Sequence, residues 1–184
     1  MREGGKVVAD DELSPGGVVV VTVPWTRGRP HLDPLRPYAD QATLKTVRDA
    51  LAPRLSPFVR LEVANPKFEE VQVSFKVAFR AGIDDTAFYL DEMRKAVVGH
   101  LAPWSRPNGG ADIVFGGRLR KSAIVDFVDE LPYVDFVEDF RLFHRPNPDV
   151  SAWTPVDKEI VEATTARSIL VSAPAAAHDI TELA

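Results

Sequence analysis

Cysteine is absent from the 184 residues, and its absence removes disulfide frameworks, thiolate-built zinc sites and a cysteine nucleophile. Long apolar runs are missing too. The longest, Val18 to Val21, falls far short of the roughly 20 residues a membrane helix requires, so no membrane insertion is expected. The four histidines, His31, His100, His144 and His178, stand apart, with no second histidine three or four residues away. That spacing suits surface or capping roles and builds no metal site. Met1-Arg2-Glu3-Gly4-Gly5 leads into acids rather than an apolar stretch. No signal peptide is expected, and assembly in the cytoplasm is the default.

What is present has ordinary globular proportions, with 45% hydrophobic and 27% charged residues. The net charge of −5 is unevenly placed: residues 1–125 carry +3 and residues 126–184 carry −8. The step is sharp. Arg118, Arg120 and Lys121 are followed by Asp126, Asp129, Glu130, Asp135, Glu138 and Asp139 with no base between them. A chain without a continuous basic footprint argues against nucleic-acid binding, while unlike patches permit head-to-tail docking.

Periodicity divides the chain into a flexible lead-in over 1–17, an α+β domain over 18–145 and a proline-punctuated arm over 146–184. Val18 to Val23 predicts a strand buried on both faces. Asp40 predicts an N-cap, with Leu44, Val47 and Leu51 at helical spacing behind it. Phe58 to Val63 alternates until Asn65-Pro66. Val71, Val73, Phe75, Val77 and Phe79 alternate with polar residues or small ones, the mark of a strand with one wet face. Asp84-Asp85 opens a second helix and Ser122 a third, and Tyr133 to Phe143 predicts a strand with a bulge near Glu138-Asp139. Ser168, Ile169, Leu170, Val171 and Ser172 form an isolated strand-like segment that is expected either to be disordered or to pair with another subunit's edge. The order suits a ferredoxin-like two-layer sandwich, a mainly antiparallel sheet with helices on one face, plus an extended C-terminal arm.

Catalytic constellations are scarce. Asp84 and Asp85 read as dipole-compensating residues, and Asn108-Gly109-Gly110 with Gly116-Gly117 lacks the order of a phosphate loop. No cofactor, metal or catalytic residue is assigned. Trp153, in a proline-rich connection, is either a plug for the core or an anchor for a partner.

From Asn65-Pro66 through Gly82-Ile83-Asp84, Leu101-Ala102-Pro103-Trp104, Phe115-Gly116-Gly117 and Ser122-Ala123-Ile124 to Tyr133-Val134-Asp135-Phe136-Val137-Glu138, the chain resembles the C-terminal part of baseplate J-like proteins. These are wedge subunits of contractile phage tails and related injection machines. The resemblance spans about residues 18–145, and the segment 165–172 is similar to the ends of such subunits in extracellular contractile injection systems. It implies a structural, non-enzymatic role in a six-fold assembly, part of a phage tail or injection particle. Implied partners are a second J-like wedge subunit and hub or sheath-proximal proteins. Family members are usually longer, so hub contacts are not carried over. The residues expected to face partners are Arg118, Arg120, Lys121, Asp135, Glu138, Asp139, Trp153 and Ser168 to Ser172. The rival class is a small ligand-binding or regulatory module on the same scaffold.

Overall fold

A computed structural model describes residues 2–3, 6–7, 16–26, 32–105, 112–150 and 153–183. Most of the lead-in, His31 and Asn108 to Gly110 lie outside the described residues. The chain divides into two compact units: residues 1–25 with 37–66, and residues 26–36 with 67–184.

The first unit is small. Strands β1 (Arg2–Glu3) and β2 (Lys6–Val7) form a two-rung antiparallel pair. Strand β3 (Gly17–Val21), helix α1 (Gln41–Leu51) and strand β4 (Arg60–Ala64) make a β-α-β crossover, with β3 and β4 parallel from Gly17↔Arg60 to Val21↔Ala64. Asp40 caps α1 as its sequence position predicts, its Oδ1 accepting the Thr43 N–H at 2.7 Å. The Asn65 side chain clamps Ala39, accepting its N–H at 2.8 Å and donating to its carbonyl at 3.0 Å. The valine run does not fulfil the expectation of burial on both faces. A two-stranded ladder offers too little cover, and Val18 and Val19 remain exposed.

The second unit is built on β5 (Lys67–Phe79), longer than the alternation alone predicts because it starts immediately after Pro66. Helix α2 (Thr86–Leu101) follows, capped by Asp85, which accepts the Phe88 N–H at 3.0 Å. Then come β6 (Arg118–Arg120), α3 (Lys121–Asp129) and β7 (Val134–Arg145). Last are β8 (Ile160–Glu162), β9 (Ser168–Ser172) and β10 (Asp179–Glu182). Arg120, not Ser122, sits at the N-cap of α3.

One edge of β5 pairs antiparallel with β7. The other carries two parallel strands in tandem, β9 along Lys67 to Val71 and β10 along Ser74 to Val77. This corrects the ferredoxin-like expectation, in which every neighbouring pair is antiparallel. It also corrects the expectation of an arm: the C-terminal segment completes its own chain's sheet. The α+β class stands, with three α-helices among the described residues and several small sheets.

Val71, Val73, Phe75 and Val77 face Met93, Val97 and Leu101 of α2 and Ile124 and Val128 of α3, each buried. Each such side chain contributes about 1.5–3 kcal/mol of burial energy. The opposite sheet face is polar where Ser74 lies opposite Arg141 and Lys76 opposite Glu138, and apolar and buried at the start of β5, where Phe68 pairs with Ile169 of β9. The bulge predicted near Glu138-Asp139 is there. The register shifts between Ser74 and Lys76, and Asp139 takes φ 54°, which lets Phe140 stack on Phe75 with ring centroids 5.0 Å apart.

Candidate partner-binding surface

The basic cluster expected to face neighbours is largely consumed within the chain. Arg118 pairs with Glu162 across the β6–β8 ladder. Lys121 Nζ lies 2.8 Å from both Asp157 Oδ2 and Glu159 Oε1, and its side chain is only 13% exposed. The acids that meet these bases come from 157–162, not from 126–139, because β8 returns alongside β6. Arg120 is exposed beside them. Trp153 is likewise anchored internally: Nε1 donates to the His144 carbonyl at 3.3 Å, and the ring meets Phe143 edge-on and lies under Arg145.

Ser168 to Ser172 are all buried and paired with β5 residue by residue. Gly116, at φ 63°, also donates its N–H to the Ser168 carbonyl at 2.9 Å. Within the chain this strand is therefore a member of its own sheet rather than an isolated segment.

The acids of α3 and β7 fare differently. Asp126, Asp129, Glu130, Asp135 and Glu138 are exposed. Asp139 is tied to Lys76 at 2.8 Å, and that ammonium holds its carboxyl below the usual range. Asp126, Asp129 and Glu130 share one face of the last turn of α3. Carboxylates there oppose the helix dipole, each at a cost of about 0.3–1 kcal/mol.

Two buried polar networks escape a sequence reading. Glu69, fully buried, accepts from His144 Nε2 at 2.7 Å, from the Thr164 N–H at 3.0 Å and from the Thr164 hydroxyl. Burial alone would raise its carboxyl, but hydrogen bonds from His144, Ser168 and Thr164 outweigh that and bring it down to about 2. The phase of β5 could have exposed it, since Glu69 sits on the inward parity of Val71 and Val73.

The second network centres on His178. Its Nδ1 accepts the Val73 N–H at 3.2 Å, so the proton of the neutral ring is on Nε2. Nε2 donates to Ser172 Oγ at 2.9 Å, and that hydroxyl donates to the Ala173 carbonyl at 2.8 Å. Burial pushes the imidazole down to about 4, with the Arg94 charge adding to it. A serine beside a histidine suggests a nucleophile, yet backbone rather than an acid orients this ring and both residues are buried. The pair is a staple between β5, β9 and β10.

Among the described residues no group of His, Asp and Glu is arranged to hold a metal, and no helix is long and apolar enough to cross a membrane.

The family model for PVC11-like baseplate proteins matches residues 14–165. The chain belongs to this family. The match covers the first unit from just before β3 and the second through β8, so both are features of a baseplate protein. A cryo-EM structure of the anti-feeding prophage (AFP) baseplate, six-fold symmetrised, shares the fold at TM-score 0.54 and 16% identity. The similarity covers 76% of this chain and 27% of that one, so this chain spans about a quarter of its solved relative. No curated protein matches.

Proposed function

We propose that this protein is a wedge component of the baseplate of a contractile injection machine, related to the J-like subunits, and acts only through contacts between subunits. The observation that carries the reading is the PVC11-like family match across residues 14–165. The surface agrees with it: exposed acids gather on α3 and β7, and of these Asp139 and Glu138 lie beside Lys76. The buried serine, histidines and Glu69 spend their hydrogen bonds on one another and on backbone, which suits a scaffold rather than an active site.

In this reading Arg120, Asp135 and Glu138 face neighbouring baseplate subunits, among them a second wedge subunit and hub or sheath-proximal proteins in a six-fold ring built in the cytoplasm. Arg118, Lys121 and Trp153 position that surface from within. Pull-down through an N-terminal tag, from cells expressing the whole injection-machine gene cluster, tests it. Baseplate proteins are expected in the eluate in fixed ratio. Elution of the chain alone, while complete particles form, would overturn the reading.

A further inference from the structure

The first unit has almost no interior. Among its described hydrophobic residues only Ala39 and Val63 are buried, α1 has no buried residue, and Phe58 is 91% exposed. Phe58 lies in the turn between α1 and β4, with exposed Arg54 and Arg60 near it in sequence and Arg48 in the last turn of α1. From residue 46 to 60 the one acid is Asp49, and it is paired with Lys45 at 2.6 Å. Arg54 donates to the Ala50 carbonyl at the end of α1 while Arg60 is exposed, and an exposed aromatic ring with arginines close to it in sequence has the composition of an interface hot spot.

The complementary chemistry is in the second unit. The last turn of α3 bears Asp126, Asp129 and Glu130 against its own dipole, and Asp135 and exposed Phe136 follow at the start of β7. Local rules broken without local compensation are expected where a partner supplies the compensation. Of the adjacent bases, Arg118 and Lys121 are held by Glu162, Asp157 and Glu159, and Arg120 is at the N-cap of α3, the opposite end of the helix from these acids.

We propose that the Phe58 turn of one copy, with the arginines near it in sequence, docks on the acidic α3–β7 face of a second copy. Arg54 and Arg60 meet the carboxylates, and Phe58 seats near Phe136. Two different patches are joined, so the contact is head-to-tail and can propagate from copy to copy into rings or chains. The proposal rests on the reading of the α3–β7 acids as a subunit contact.

Sedimentation velocity of the purified full chain over a concentration series tests it, at 0.1 M and 1 M salt, where the Debye length falls from about 10 Å to about 3 Å. Wild type is expected to self-associate at low salt, with apparent affinity at least about tenfold weaker at high salt. R54E/R60E and D129K/E130K should each remain monomeric, and the chain carrying all four changes should associate again. All four positions are exposed, and circular dichroism confirms folding of each variant. A second readout needs no charge reversal: Phe58→Ala should weaken association while leaving its salt dependence intact.

A wild type that is monomeric at every concentration and salt overturns the proposal, as does failure of the four-fold variant to regain association. So does a charge reversal that alters the monomer's sedimentation coefficient while association is unchanged, since the contact then lies within one chain. Incorporation of a non-associating chain into particles would sink the self-docking and leave the baseplate role standing.

Discussion

Acidification should loosen this protein through one imidazole, and His178→Gln isolates the effect. In the fold His178 is neutral, with Nδ1 accepting from the Val73 N–H and Nε2 donating to Ser172. A proton added at Nδ1 would face another N–H in a buried site near Arg94, which is why the folded pKa falls to about 4 from 6.5. The unfolded chain therefore binds more protons than the fold between these two values. A depressed folded pKa means that the contribution is complete above about pH 6.5 and is lost as pH falls towards about 4. The shift corresponds to about 3 kcal/mol in total, of which about 2 kcal/mol is gone by pH 5.

Urea unfolding followed by tryptophan fluorescence, at intervals from pH 7.5 to 4, measures it. His178→Gln should start about 1–3 kcal/mol less stable, since the Val73 N–H and Ser172 hydroxyl lose their fitted partner. Its profile should lack this decline, so wild type and variant converge as pH falls. The other histidines cancel in the difference. Parallel profiles across the whole range would refute the tautomer assignment and the staple built on it.

Glu69→Gln should cost about 3 kcal/mol in the same urea assay at pH 7, because His144 and Thr164 then face a neutral amide in a buried site. Glu69 itself contributes above about pH 4.5, and its contribution is lost as pH falls towards about 2, a window below that of His178. Asp139 occupies φ 54°, so Asp139→Val should lower the urea midpoint by about 1–2 kcal/mol equivalent while Asp139→Gly leaves it nearly unchanged. Hydrogen exchange of a dilute monomer should show Ile169 to Val171 protected alongside β5. Rapid exchange there, with protection only on assembly, would instead favour pairing with another subunit's edge.

Strong local signals were legible before the structure. The alternation from Val71 to Phe79 has enough repeats to set both the strand and its buried face. Asp40 and the Glu138-Asp139 phase change likewise announce a cap and a bulge by local chemistry. What stayed hidden depends on distant partners. Arg118 to Arg120 and Ile160 to Glu162 are three-residue strands that exist because each supplies the other's hydrogen bonds. Ser168 to Ser172 reads as an orphan until β5 proves long enough to hold two strands end to end. The charge step at 118–139 was visible, but its meaning changed. Arg118 and Lys121 are neutralised by acids that lie about forty residues further on in sequence, while Arg120 and most of the acids of 126–139 stay exposed.

The central claim, that this chain is a structural part of a contractile baseplate, is tested most directly by deleting its gene in the source cell and imaging the particles by cryo-electron microscopy. The account predicts that particles lose an organised baseplate, and that wild-type particles show density for β5, β7, β9 and β10 at the end of the tube. Complete, contractile baseplates in the deletion strain, with no such density in wild-type particles, would contradict it.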